Sequence, residues 1–491
     1  MQRLNKNNLG ALANVASLPN YDRDAQQAGI VHLGIGAFHR AHQAWYTEAL
    51  LNKGAQNWQI IGASLRSPTV KNQLAEQDGL YTVVERGPEG EKFQVVGAVK
   101  DVLVGPESPA ALLEVMSKPE IKIVSLTVTE KGYCHDPASG NLNESHPDIV
   151  HDLENPQAPK SAIGYIVGAL NARRKAGGKS FTVLSCDNLP NNGEVLEKVV
   201  LQYADKFDTE LAAWIRANTT FPCTMIDRIV PATTDADRGE LEGKLGLRDE
   251  GMVLAEPFSQ WVIEDNFCSD RPAWEDAGAL LVDEVHAYEI MKLRLLNGSH
   301  SLLAYTGYLA GFDYVSEVMR EPVLAKLCQE FMDREVGQTV QVPTGFDMEE
   351  YKVQLRERFA NPGLKHRTWQ IAMDGSQKIP QRWLQTLAAQ LDGEGNIDYL
   401  CLALAAWIRY VSGVDERGQP IDVQDPLAAE LKSLVDANRG DAAAIVTAVL
   451  GVKAVFPQAV AASEKVHAAT ADWLARISEQ GVLAAVKAAQ Q

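Results

Sequence analysis

A lysine, an asparagine and a histidine lie close together in a stretch, residues 291–312, that otherwise reads as a buried helix. Burying an unpaired polar group costs several kcal/mol, so Lys292, Asn297 and His300 need partners or a function. At about 100° per residue in an α-helix, Asn297 and His300 lie roughly 140° and 80° from Lys292, on one side of the helix. A base, an amide and an imidazole on one face suit proton transfer at a hydroxyl or carbonyl group. The alternative is a core helix with a snorkelling lysine and a satisfied histidine.

Composition limits the class of protein. The chain has 491 residues, which allows about two to four domains. Its formal net charge of −18 argues against binding nucleic acid or an anionic membrane surface. Its six cysteines are scattered without a zinc-like spacing, the N-terminus lacks the apolar run of a signal peptide, and no stretch approaches the roughly 20 apolar residues of a membrane span. We therefore expect a cytoplasmic protein without a metal site, which acts on a small molecule as a monomer or a small homo-oligomer.

The order of strand and helix signals predicts an α/β fold in two parts. Strands and helices alternate up to about residue 285, which is typical of a parallel sheet with antiparallel additions. From residue 287 onward, nearly every segment has helical period or length. We predict an α/β domain over 1–285 and a mostly α-helical domain over 286–491.

A glycine turn joins the first predicted strand to a helix. The apolar run 30–33 ends in a Gly-Ile-Gly sequence, and a helical pattern follows through Leu51. In this context the glycines let the backbone approach a diphosphate at the helix N-terminus. The third glycine of the usual fingerprint is replaced by His39, so an ordinary strand–helix turn stays an alternative. The expected dinucleotide contacts here are Gly34, Ile35, Gly36, Ala37, Phe38 and Arg40.

The end of the second predicted strand, over 58–65, bears on the choice between NAD and NADP. An acidic residue at this position binds the adenosine ribose and favours NAD. The chain has Arg66-Ser67-Pro68-Thr69 here and no acid, and Arg66 could tolerate a 2′-phosphate. These residues alone leave both cofactors open.

Polar residues also follow two later strands. Thr129 and Glu130 follow the apolar run 121–128, and Asn188 follows the strand predicted at 181–185. Ligands of open α/β sheets gather at the carboxyl ends of strands, although an asparagine is equally common in an ordinary turn.

A basic segment lies within the helical half. Arg367, Lys378 and Arg382 all fall between residues 366 and 382 of an otherwise acidic protein. We expect this loop to bind a carboxylate or polyol hydroxyl groups. The alternative is a solvated loop before a helix that begins at Pro380.

Four of these segments together resemble the mannitol dehydrogenase family, the polyol-specific long-chain dehydrogenases: Gly34–Gln43, Ser125–Tyr133, Ser185–Asn188 and Lys292–His300. The resemblance extends over essentially the whole chain and is closest to the fructuronate-reducing branch. It implies a zinc-independent enzyme with an N-terminal Rossmann-type domain and a helical C-terminal domain that completes the substrate site. The implied reaction is reversible reduction of D-fructuronate to D-mannonate with NADH. A mannitol or arabinitol dehydrogenase and a non-catalytic dinucleotide-binding protein are the alternatives.

The resemblance also implies roles for individual residues. Lys292 corresponds to the family's catalytic lysine, Asn188 and Asn297 to its two alkoxide-binding asparagines, and His300 to its histidine. Its substrate-binding aspartate and lysine correspond to Asp227 and Lys378. Mannitol-oxidising members carry an arginine three residues after the position of Arg367. This chain has Gln370 there, which favours a sugar acid over mannitol.

Overall fold

The computed structural model describes residues 2–136, 139–343 and 346–490. The chain forms two compact units, Met1–His286 and Ala287–Gln491. Within the described ranges every strand belongs to the first unit, and no helix is long and apolar enough to cross a membrane.

The strands follow one another along the first unit in this order: β1 (Ala28–Leu33), β2 (Gln59–Ser64), β3 (Tyr81–Gly87), β4 (Gly90–Val96), β5 (Val99–Val104), β6 (Ile123–Leu126), β7 (Thr182–Ser185), β8 (Thr224–Asp227), β9 (Val253–Ala255), β10 (Gln260–Glu264) and β11 (Leu280–Val282).

Five strands form a parallel sheet in the order β5-β2-β1-β6-β7. Strands β1, β6 and β7 are buried along their whole length, as expected for parallel strands covered on both faces. The strand order reverses between β1 and β6, and ligands of such sheets bind at the carboxyl ends beside this switch point. The predicted Rossmann-type architecture is confirmed.

Two three-stranded sheets, β4-β3-β9 and β11-β10-β8, complete the strands. From their apolar pattern, residues 81–86 and 93–104 are expected to form a strand pair, as in a hairpin. The hairpin is present as β3 and β4, which pair antiparallel from Tyr81 with Val96 to Gly87 with Gly90. The prediction of one continuous strand over 93–104 is wrong, because the chain leaves the hairpin after Val96 and β5 joins the parallel sheet beside β2. Likewise, the apolar pattern of residues 252–263 predicts a single strand-like segment, but these residues contribute to two strands, β9 and β10, in different sheets.

The α-helices of the first unit cover the sheets: α1 (Ala37–Ala41), α2 (Gln43–Asn52), α3 (Thr69–Ala75), α4 (Pro109–Ser117), α5 (Pro147–Glu154), α6 (Ala162–Lys175), α7 (Asn192–Phe207), α8 (Thr209–Asn218) and α9 (Asp235–Leu245). The next helix, α10 (His286–Met291), spans the boundary between the units.

The second unit is built from helices: α11 (Gly298–Leu309), α12 (Val315–Val318), α13 (Pro322–Phe331), α14 (Met348–Phe359), α15 (Thr368–Ala372), α16 (Gly375–Ile379), α17 (Gln385–Asp392), α18 (Asp398–Val411), α19 (Ala428–Ala437), α20 (Ala442–Leu450), α21 (Gln458–Ala461), α22 (Glu464–Gln480) and α23 (Val482–Ala489). Three π-turns, Lys292–Asn297, Met332–Val336 and Pro380–Leu384, join helices of this unit.

Helix α18 is the centre of the second unit. Every residue from Tyr399 to Ile408 is buried, and a helix apolar on all sides must lie inside a core. The buried carboxylate of Glu335, in the second π-turn, accepts hydrogen bonds from the N–H groups of Tyr399 (2.7 Å) and Leu400 (2.8 Å) at the start of this helix. Burial raises the pKa of Glu335 to about 7, so this capping carboxylate is costly to ionise.

Candidate active site

A π-turn carries two of the residues predicted to do chemistry. Between α10 and α11, the N–H of Gly298 donates to the carbonyl of Leu293, five residues back. The assumption of α-helical spacing was therefore wrong here, because an i→i+5 turn places Lys292 and Asn297 one turn apart. Single π-turns inside helices occur frequently at functional sites.

The three candidate residues of this stretch are all buried. Lys292, Asn297 and His300 are 5%, 8% and 6% exposed. The His300 ring stacks on Phe359, with 4.6 Å between ring centroids, and meets the edge of His366 at 5.0 Å. Burial, helped by neighbouring positive charges, holds the pKa of His300 well below its usual value. His300 is therefore a neutral imidazole that can orient a hydroxyl group but carries no charge near neutral pH.

His366 was not among the predicted site residues, yet its ring faces His300. Burial and the charge of Lys378 lower the pKa of His366 to about 4, so this imidazole is neutral as well. Its Nδ1 atom is buried and lacks a hydrogen-bond partner among the residues that the structure describes. Lys378 donates a hydrogen bond from Nζ to the carbonyl of Ile371 (3.3 Å). Lys378 is thus close enough to His366 for its charge to act on this ring, and the same ring contacts His300.

The basic segment 366–382 is not the loop that its polar composition predicted. It forms α15, α16 and the start of the third π-turn, and the predicted helix start at Pro380 is wrong because Pro380 lies inside this continuous helical run. Arg367 is exposed, stands at the start of α15 and pairs through its backbone with Tyr314.

Arg382 forms hydrogen bonds with the first π-turn and with α11. Its Nη1 atom donates to the carbonyl of Asn297 (3.2 Å) and to the hydroxyl of Ser301 (2.9 Å). The indole N–H of Trp383 donates to the carbonyl of Gly298 (3.0 Å). The two segments are closely packed here, because a Cβ added to Gly298 would lie 3.2 Å from the carbonyl oxygen of Arg382. The third π-turn therefore braces the first one, and the expected contact of Arg382 with a substrate carboxylate stays a prediction.

The glycine turn of the first unit is tightly packed on one side and open on the other. Gly34 has φ +93°, and a Cβ there would meet the carbonyl oxygen of Thr127 at 2.2 Å, so only glycine fits. Gly36 is exposed, and the nearest atom to an added Cβ would be the oxygen of Gly34 at 3.8 Å. Exposed backbone at a strand–helix turn beside the switch point fits the diphosphate of a dinucleotide.

Two of the expected cofactor contacts, Arg40 and Ile35, have buried side chains. The guanidinium of Arg40 is buried, donates to the carbonyls of Gly36 and Gly251, and lies over the Tyr81 ring at 5.6 Å. These contacts give the guanidinium a structural role, and its expected contact with a cofactor phosphate stays a prediction. Ile35 packs its side chain into the core and can contribute only its main chain to the turn. Phe38 and Ala37 are partly exposed, as is fitting for a binding surface.

A buried polar chain supports the glycine turn from below. The ring of His32 lies 2.8 Å from the hydroxyl of Ser125 and 2.9 Å from that of Thr127, and Thr127 donates to the carbonyl of Gly34 (2.8 Å). Gln43 contacts Ser125 at 2.8 Å. Burial lowers the pKa of His32 to about 3, so the chain is neutral. Sequence reasoning missed this network, because a histidine inside an apolar strand gives no signal of its partners.

The remaining candidates of the first unit lie at strand ends. Thr129 and Glu130 follow β6, Asn188 follows β7, and all three are exposed. Asp227 is the buried last residue of β8. Arg66 is exposed just beyond β2, where a dinucleotide fold places the adenosine ribose.

Among the described residues, no group of three or more His, Cys, Asp or Glu side chains is placed to hold a metal ion.

Comparison with known proteins agrees with this architecture. The profile of the mannitol dehydrogenase Rossmann domain matches residues 28–276, and that of the mannitol dehydrogenase C-terminal domain matches residues 284–477. D-mannonate oxidoreductase of Escherichia coli K12 is 48% identical over 443 residues, 89% of this chain and 90% of that protein. An uncharacterized oxidoreductase of the same organism, YeiQ, is also 48% identical, over 440 residues that cover 89% of this chain and 90% of that protein. The ternary complex of Pseudomonas fluorescens mannitol 2-dehydrogenase with NAD and D-mannitol superposes with a TM-score of 0.93 at 40% identity, covering 100% of this chain and 99% of that one. The chain belongs to the mannitol dehydrogenase family and is an oxidoreductase of the dehydrogenase/reductase type that acts on a secondary alcohol.

Proposed function

We propose that this enzyme reduces D-fructuronate reversibly to D-mannonate with NADH. The observation that carries the proposal is the buried π-turn, which holds Lys292 and Asn297 one turn apart and near a neutral His300. The 48% identity to D-mannonate oxidoreductase supports the choice of substrate. YeiQ, of equal identity and without an assigned substrate, shows why that choice needs a direct test.

The proposed chemistry assigns each side chain one task. When bound, the reduced nicotinamide supplies the hydride that is added to the ketone carbon. Negative charge then develops on the former carbonyl oxygen, and the amides of Asn188 and Asn297 donate hydrogen bonds to it. Lys292 gives this oxygen a proton, which produces the secondary alcohol, and takes the proton back in the oxidation direction. His300 orients a neighbouring hydroxyl group as a neutral donor or acceptor.

The uronate carboxylate requires a cation, and we propose Lys378. Lys378 is the basic residue whose charge depresses the pKa of His366, and the His366 ring in turn lies against His300. The two other expected cations fit less well, since Arg382 braces the π-turn and Arg367 is an exposed residue at the start of α15. Asp227 is proposed to accept a hydrogen bond from a substrate hydroxyl. Glu130, exposed in the turn after β6, is proposed as a further substrate contact.

We propose NAD rather than NADP as the cofactor. The mannitol 2-dehydrogenase complex that superposes on the whole chain contains NAD. Residues 66–69 contain no acidic side chain, so NADP must be compared directly with NAD. Titrations of NADH and of NADPH with the same ketone, for the wild type and for Arg66→Ala, would decide between the two cofactors. If Arg66 faces the 2′ position of the ribose, the substitution weakens the binding of NADPH and leaves the binding of NADH unchanged.

A substrate panel tests the proposed function. NADH oxidation would be measured with D-fructuronate, D-tagaturonate, D-fructose and no ketone, for the wild type and for Lys292→Ala. We expect fast turnover of D-fructuronate, at least about tenfold slower turnover of the others, and a loss of about 10²–10⁴-fold in the variant. A preference for D-fructose would show that the substrate is a neutral ketose, reduced to a polyol such as mannitol, and not D-fructuronate. Turnover unaffected by Lys292→Ala would overturn the assigned base.

A further inference from the structure

A buried aspartate joins the two strand-end loops of the first unit. Asp187 is 8% exposed and directly precedes Asn188. Its carboxylate accepts hydrogen bonds from the main-chain N–H groups of Val128 (3.0 Å) and Thr129 (2.9 Å) and from the hydroxyl of Tyr133 (3.0 Å). All three donors belong to the segment after β6, whereas Asp187 belongs to the segment after β7. The carboxylate is therefore a clasp between the carboxyl ends of neighbouring strands.

The main chain at Asp187 is held as firmly as its side chain. The side-chain amide of Asn192 donates to the carbonyls of Asp187 (3.0 Å) and Thr224 (2.9 Å), and its oxygen accepts from the N–H of Thr224 (3.0 Å). The hydroxyl of Thr224 donates to the carbonyl of Ser185 (2.6 Å). Asn188 is thus an exposed residue carried on a backbone that is fixed immediately before it.

The clasp also holds a strained residue. Thr129 has φ +64° and ψ 167°, a conformation that a β-branched residue rarely adopts and that costs of the order of 1–3 kcal/mol unless its surroundings enforce it. The hydrogen bond from its N–H to Asp187 is one of the contacts that enforce it.

We propose that Asp187 is a positioning residue for the reaction: it sets the place of the Asn188 amide and of the Thr129 backbone by clasping the ends of β6 and β7. This inference rests on the proposed function only in assigning Asn188 to the substrate oxygen; the clasp itself is a structural claim. Asp187 touches neither substrate nor cofactor in this scheme and acts through its neighbours.

The clasp is sensitive to protonation. Burial raises the pKa of Asp187 to about 7, against the hydrogen bonds that favour its ionised form, and the charge of Glu130 raises it further. The other titratable groups facing it, Tyr133 and Cys186, stay neutral because burial raises the pKa of each well above its usual value. Below about pH 7 the protonated carboxyl is a weaker acceptor. We therefore expect an acid limb in kcat that originates from Asp187.

Substitution by asparagine removes this limb and damages the clasp at every pH. Both carboxylate oxygens of Asp187 face N–H donors, so the NH₂ group of an asparagine must face at least one of them. The strained Thr129 backbone then relaxes. A misplacement of about 1 Å at a reacting group costs on the order of 10²-fold in rate.

The test compares Asp187→Asn with two other variants. Tyr133→Phe removes one donor and keeps both main-chain bonds, so we expect a loss of about two- to tenfold. Glu48→Gln is the matched control, because Glu48 is also buried, has a pKa raised to about 7 and accepts hydrogen bonds from the N–H of Gly97 (2.8 Å) and the hydroxyl of Tyr21 (2.8 Å), near the start of β5 rather than at the carboxyl ends of β6 and β7. It should destabilise the protein without changing kcat of the folded enzyme.

Two readouts are measured on the full-length chain of each variant. The first is kcat and KM from pH 5.5 to 9 for whichever ketone the wild type reduces, and the second is amide hydrogen exchange over 127–133, corrected for the intrinsic pH dependence. For Asp187→Asn we expect kcat lower by about 10²-fold, KM changed by less than about threefold, no acid limb near pH 7, and faster exchange in this segment. If the variant keeps kcat within about threefold, retains the acid limb or exchanges like the wild type, the proposal is overturned. Should the wild type reduce no ketone at all, the proposed function fails, and hydrogen exchange alone still decides whether Asp187 holds the loop.

Discussion

Replacing Arg382 by methionine separates two explanations of the basic residues in the second unit. Methionine keeps an aliphatic stem and removes the charge and the hydrogen bonds to the carbonyl of Asn297 (3.2 Å) and the hydroxyl of Ser301 (2.9 Å). If Arg382 braces the π-turn, the substitution displaces Asn297 and Lys292 whatever the substrate is. If it binds the carboxylate, only substrates with a carboxylate are affected.

The expected magnitude follows from these contacts. A hydrogen bond from a charged donor contributes about 1.5–3 kcal/mol, and Arg382 is partly exposed, so we take the lower end for the pair, about 2 kcal/mol of unfolding free energy. Displacement of Asn297 and Lys292 by several tenths of an ångström should lower kcat by about 10- to 100-fold. This fall should be equal, within about threefold, for D-fructuronate and for the slower neutral ketone D-fructose.

Lys378→Met is the matched comparison, since it removes one positive charge from the same helical segment and leaves both hydrogen bonds of Arg382 in place. Steady-state kinetics with both ketones, together with urea unfolding, would be measured for the two variants. We expect Lys378→Met to raise KM for D-fructuronate by about 10- to 100-fold and to change KM for D-fructose by less than about threefold. The reasoning is refuted if Arg382→Met loses activity only towards D-fructuronate and keeps its unfolding free energy.

The first unit offers two further predictions. Gly34→Ala should lower both the unfolding free energy, by about 1–3 kcal/mol, and the affinity for NADH, because the added Cβ would meet the carbonyl oxygen of Thr127 at 2.2 Å in a backbone with φ +93°. At Gly10 an added Cβ meets no atom within 4 Å, so Gly10→Ala should change neither the unfolding free energy, measured by urea unfolding, nor the affinity for NADH, measured by fluorescence titration. Because burial lowers the pKa of His32 to about 3, its neutral form stabilises the fold above the unfolded-state pKa of about 6.5, and this contribution is lost as pH falls from there towards 3. Between pH 7 and pH 5 this contribution to the unfolding free energy falls by about 2 kcal/mol. In urea unfolding, the free energy of His32→Asn should therefore fall by about 2 kcal/mol less than that of the wild type over the same pH interval. An equal fall in both proteins would show that His32 is not buried as a neutral imidazole.

The sequence predicted those parts of the fold that depend on local periodicity. The buried parallel strands, the glycine turn and the long amphipathic helices follow from apolar spacing and turn residues, which neighbouring residues determine. The hairpin end at Val96 was missed because apolar residues continue into β5, and only the pairing partners separate the two strands.

The details of the candidate site depend on contacts that are distant in sequence. The π-turn at Lys292 is braced from Arg382 and Trp383, some ninety residues later, so spacing within residues 291–312 could not predict it. The role of Asp187 depends in the same way on N–H groups at residues 128 and 129, which no pattern around residues 185–193 indicates. The identities of Lys292 and Asn297 as candidates came from a residue pattern; their geometry came from tertiary packing.

The central claim is most directly tested by the product. The enzyme would be incubated with D-fructuronate and NADH carrying deuterium at the transferable position of C4, and the product analysed by NMR and mass spectrometry. We predict one equivalent of D-mannonate per NADH oxidised, as a single epimer with deuterium on the new secondary alcohol carbon. Oxidation of NADH without D-mannonate, or a deuterium-labelled polyol formed from D-fructose in preference to it, would contradict the account.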